Sequence, residues 1–95
     1  MATNLTSHFV SATTTIDSNA GRIRGYNFTS HSTAIKSVVF HDNYVSAGDT
    51  GTQVLKFELN SGGSNDTYLE DAGIRYFTNL HVTVPTSVAG TIFTG

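Results

Sequence analysis

Read for the spacing of its apolar residues, the chain falls into short pieces that alternate, with turn-forming residues between them at intervals of about 8 to 12 positions. The pattern predicts strands and no helix. The first covers Phe9 to Ile16 and ends at Asp17-Ser18-Asn19-Ala20-Gly21. The second runs from Arg22 to Thr29 with Gly25 in its middle, where a glycine marks a bulge or a close approach of two backbones. A third, Ile35 to His41, sets Val38 and Phe40 on one face and Ile35, Val39 and His41 on the other, so both faces are partly apolar. After a loop at Ser46 to Gly51 the cleanest alternation follows in Val54 to Leu59, where Leu55, Phe57 and Leu59 oppose Lys56 and Glu58. Beyond a flexible loop expected over Asn60 to Asp66 come a short strand at Thr67 to Leu69, a turn at Asp71-Ala72-Gly73 and the run Ile74-Arg75-Tyr76-Phe77. A strand at Leu80 to Val84 stops at Pro85, which has no amide hydrogen to donate, and a last strand covers Val88 to Thr94.

These pieces predict an all-β fold, a small antiparallel β-sandwich of jelly-roll or immunoglobulin-like type with about seven or eight short strands. Residues 1–8 read as an N-terminal arm and 9–95 as one β-sandwich domain. The expected core is Phe28, Val38, Phe40, Leu55, Phe57, Leu59, Ile74, Leu80, Val82, Val84 and Ile92.

Composition agrees: 15 Thr, 10 Ser, 8 Val and 5 Ile stand against 2 Glu, 2 Lys and 1 Gln, so residues that suit a pleated surface dominate and exposed-helix formers are scarce. With 95 residues, the chain buries only about 60 to 65% of its unfolded surface on folding, and with no cysteine it has neither disulfides nor a thiolate metal site to add stability. Self-association is the economical supplement. Five basic residues and a net charge of -2 do not suit the phosphate contacts of nucleic acid. No stretch reaches membrane-spanning length, and the N-terminus lacks the basic start and apolar run of a secretory signal, so a soluble chain made in a cytoplasm is expected.

No candidate chemistry emerges. His8, His31, His41 and His81 lack metal-ligand spacing; Asp17-Ser18-Asn19-Ala20-Gly21 opens like a calcium loop, but Phe28 stands where its glutamate belongs. Nothing resembles a nucleophile elbow or a phosphate cradle, and Glu58 and Glu70 lie in different pieces with no marker that pairs them. No cofactor and no enzymatic activity are expected. Tyr26, Tyr44, Tyr68 and Tyr76 could form a stacking platform for a sugar.

Two stretches carry a family resemblance. Gly21-Arg22-Ile23-Arg24-Gly25-Tyr26-Asn27-Phe28 followed by Ser37-Val38-Val39-Phe40-His41-Asp42 resembles a G-R-x-x-G-Y strand and a V-x-F-Y-D strand of small structural proteins of tailed bacteriophages. The run from Asp71 to Val84, with Gly90-Thr91-Ile92-Phe93 after it, is similar to the second half of the same proteins. The likeness spans roughly residues 20 to 95; Asn27, His41 and Asn79 depart from it. What the resemblance implies is a virion component at the capsid surface, made in the host cytoplasm: a decoration or cement β-sandwich that stabilises the head through intersubunit contacts. Its expected partners are the major capsid protein and further copies of itself as a homotrimer, with a fibre or tail module that binds a receptor or glycan as the alternative. Leu5 and Phe9 in the arm, with Ile35, Val39, His41 and Val54 on the face opposite the expected core, are the interface candidates.

Overall fold

The computed structural model describes residues 5–69 and 73–95. Among them nine strands follow one another: β1 Thr6–Val10, β2 Thr14–Asp17, β3 Gly21–Ser30, β4 Lys36–Asp42, β5 Thr52–Leu59, β6 Ser64–Tyr68, β7 Ile74–Tyr76, β8 Leu80–Thr83 and β9 Val88–Thr94. One antiparallel sheet has the order β1-β9-β3-β6, with β7 continuing along β3 beyond β6, and the other has the order β2-β8-β4-β5. Successive strands β1 to β4 therefore alternate between sheets. That is jelly-roll order, since an immunoglobulin domain keeps its first two strands in one sheet.

The switching of sheets explains where the alternation misled. The expected strand Phe9 to Ile16 is two strands, because the chain bends at Ser11 and Ala12 and carries Val10 into one sheet and Ile16 into the other. Thr6, Ser7 and His8, read as arm, pair in register with Thr94, Phe93 and Ile92 of β9; backbone pairing needs no apolar side chain to announce it. Residues 1–4 of that arm lie outside the described residues, as do Glu70, Asp71 and Ala72. Ser64, Asn65 and Asp66, read as loop, likewise pair along β3.

The core follows the expected faces, with additions. Phe28, Val38, Phe40, Leu59, Leu80, Val82, Val84 and Ile92 are buried, while Leu55, Phe57 and Ile74 are half-buried and pack against them. Val10, Ile23, Tyr26, Tyr76 and Val88 join the buried set. Tyr26 and Phe28 from one sheet interleave with Phe40 and Phe57 from the other, and the Tyr26 and Phe57 rings stack at 4.7 Å between centroids, 6° from parallel. Such ring pairs add about 0.5 to 1.5 kcal/mol each beyond the area they bury. The Tyr76 hydroxyl donates to Asp17 Oδ2 at 2.6 Å, linking β7 to the end of β2 in the opposite sheet. Burial and the Asp17 carboxylate both raise the Tyr76 phenol above its ordinary range, so it stays a donor.

Two bulges set side-chain directions. On β3 the register slips between Ile23 and Gly25, and a side chain at Gly25 would meet the Thr67 carbonyl oxygen at 2.9 Å, the close approach its position in the strand implied. On β5, Phe40 pairs with Leu55 but His41 with Gln53, which leaves Val54 as the extra residue. Val54, named as an interface candidate, consequently packs half-buried beside Leu55 against the core.

Candidate functional site

The two sheets turn very different outer faces to solvent. On the first, β1 alternates with Val10 buried and Phe9 pointing out, 73% exposed, while Leu5 just before the strand is 44% exposed on the same side. Pairing lays out two rows across this face: Ser7, Phe93, Gly25 and Tyr68 in one, Phe9, Thr91, Asn27 and Asp66 in the next. Tyr68 is 68% exposed and its ring edge borders Gly25, which has no side chain to displace it. Asp66, at the far strand, is the one charged residue in the two rows. The result is a shallow aromatic face in which Leu5, Phe9, Phe93 and Tyr68 are separated by small or uncharged positions. Phe93 was not singled out from sequence as an interface residue, and Tyr68 was named only for a sugar-stacking platform. Phe93 was legible there, because once Ile92 is placed inward its neighbour must point out.

On the second sheet, Thr15, His81, His41 and Gln53 form the corresponding row. His81 faces outward yet is only 5% exposed, because Tyr44, from the segment after β4, folds back and lays its ring flat on the imidazole at 3.5 Å and 2° from parallel. Hydrogen bonds lock the cover. Tyr44 N–H donates to Asn79 Oδ1 and Asn79 Nδ2 donates to the Tyr44 carbonyl, both at 3.0 Å. Asn79 is itself fixed by Asp42, whose carboxylate accepts the amides of Phe77, Thr78 and Asn79 at 2.7, 2.9 and 3.2 Å. Burial alone would raise the Asp42 carboxyl, but these amides with that of Asn43 outweigh it and hold the group below its ordinary range. Asn79 thus serves as a clamp.

Thr15 Oγ1 lies 2.9 Å from His81 Nδ1, while His81 Nε2 and His41 Nδ1 are buried without a hydrogen-bond partner among the described residues. Burial pushes the His81 imidazole below its ordinary range, and repulsion from His41 across the strand pair pushes the same way. Among the described residues no group of three or more His, Cys, Asp or Glu is placed to hold a metal ion, and no helix is long and apolar enough to cross a membrane. Asp17 spends one oxygen on Tyr76 and the other on the Asn19 amide of its own turn.

The sequence-derived interface candidates therefore divide. Leu5 and Phe9 stand together on the first sheet; Val39 and His41 lie half-buried on the outside of the second, Ile35 is exposed just before β4, and Val54 is spent on the core. The four tyrosines form no platform: Tyr26 and Tyr76 are in the core, Tyr44 covers His81, and Tyr68 stands apart on the other sheet. Comparison of the chain with protein-family models, with curated proteins and with solved structures finds no match.

Proposed function

We propose that this domain is a structural module of a tailed-bacteriophage virion, a decoration or cement protein that attaches to the major capsid protein and acts by burying surface, without turnover. The observation that carries the reading is the outer face of β1-β9-β3-β6. It presents Leu5, Phe9, Phe93 and Tyr68 in and beside two cross-strand rows whose one charge is Asp66, the composition of an interface core. The jelly roll is a fold that viral capsid domains use, which supports the reading by analogy, as does the sequence resemblance over residues 20 to 95. The alternative of a glycan-binding fibre or tail module has less support, since Tyr26 and Tyr76 are in the core and Tyr44 and Tyr68 lie on different sheets.

Quantitative mass spectrometry of purified virions from the genome that encodes the chain tests the proposal. Copy numbers in the hundreds are expected, with loss of the protein from particles on Phe9→Lys. Absence from particles, or a copy number of a few per virion, would overturn it.

A further inference from the structure

We propose that the free edge of β1 pairs antiparallel with β1 of a second copy, about a two-fold axis centred on Ser7, joining the two β1-β9-β3-β6 sheets into one. Sheet edges are ordinarily protected by charge, proline, bulges or brevity. The other edges of this molecule carry such devices: β5 has Lys56, Glu58 and a bulge, β2 has four residues with a slip before Asp17, β6 has Asp66, and β7 has three residues including Arg75. β1 has none of them. Its five residues include no Lys, Arg, Asp, Glu or Pro, and their register with β9 runs unbroken from Thr6 to Val10. Among the described residues no strand pairs with its outer edge, whose amides and carbonyls form a template for another strand.

The sequence around Ser7 says which strand fits. Leu5, Ser7 and Phe9 share the outer face, so a two-fold at Ser7 sets each Phe9 opposite the second copy's Leu5 and the two small Ser7 side chains opposite each other. On the inner side Thr6 meets His8. The large exposed side chains are thereby covered by one another, and no like charges are opposed, which a net-negative chain requires of a contact with itself. Five paired residues and four apolar side chains bury less than the 1,200–2,000 Å² of a standard interface, roughly, so the pair is weak and concentration-dependent. In it the two aromatic outer faces become one continuous surface. The arrangement is a dimer, in place of the homotrimer that the resemblance implies, and it stands whether or not the virion reading holds.

Light scattering over a concentration series should show the mass rise from 10.1 kDa to twice that value. Phe9→Glu should weaken the dimer by about tenfold or more, and adding Leu5→Lys to the same chain should restore it, since position 5 faces position 9 of the second copy. With no native cysteine, Ser7→Cys should give a covalent dimer on mild oxidation and Ser18→Cys, in the turn after β2, should not. A protein that stays monomeric at submillimolar concentration overturns the inference. So does a trimer, or a dimer indifferent to Phe9→Glu and not trapped by Ser7→Cys. Far-ultraviolet circular dichroism of each variant separates loss of pairing from loss of fold, and virion copy number reports on the proposed function independently.

Discussion

The two sheets, of five and four strands, are opposite in what they do with the outer face. On β2-β8-β4-β5 a polar ring, His81, is sealed by a tyrosine that Asn79 and Asp42 hold in place; on β1-β9-β3-β6 the aromatic side chains Phe9 and Tyr68 are left open beside serine, threonine and glycine. The sealed face spends hydrogen bonds to fix a loop and gains local rigidity. The open face adds little to folding, because its rings keep most of their contact with water, and that unburied area is what remains for a partner. Stability and association are thus assigned to different sides of one small molecule.

Substitutions separate the two roles, and the largest effect belongs to the sealed side. Asp42→Ala deprives three amides of their acceptor and should cost about 3 kcal/mol in chemical denaturation. Tyr44→Ala should cost about 1 to 2 kcal/mol and, by admitting water, move the His81 titration seen by NMR up toward the ordinary histidine range. Acid should reproduce part of this. Because His81 takes up its proton less readily folded than unfolded, its contribution is complete above pH 6.5, declines as the pH falls below that value, and levels off once the folded form is protonated too. Asp42, held below 3.8, adds a second loss as the pH falls under that value. Denaturation midpoints across pH should show both limbs, and His81→Gln should remove the upper one alone. Smallest is Phe9→Ser on the open face, which should change stability by no more than about 0.5 kcal/mol while weakening self-association. A large loss of stability there would mean that the open face is part of the fold's support after all.

Strand positions and most of the core were legible because inward and outward residues alternate with a period of two, as at Val38 and Phe40 against Val39 and His41. What the alternation could not carry was pairing made by backbone alone, at Thr6 to His8 and Ser64 to Asp66, or the phase change at a bulge, which turned Val54 inward. The tyrosines were misplaced for a different reason. A phenol can be buried if its hydroxyl finds a partner, and Asp17, far from Tyr76 in sequence, supplies one. The His81 site was illegible altogether, since Tyr44, Thr15, Asn79 and Asp42 come from separate parts of the chain and no local spacing connects them.

The strand order also fixes when this molecule can fold. β8 lies between β2 and β4, and β9 between β1 and β3, so the chain up to β5 can close only the β4-β5 hairpin on its own. A two-stranded hairpin is marginal in water. During synthesis β1 and β2 therefore wait, with both edges open, until residues 80–94 have been made, while β3 gains β6 and β7 along one edge only; both sheets then close late over long loops, a slow route during which the uncharged β1 is exposed to other chains.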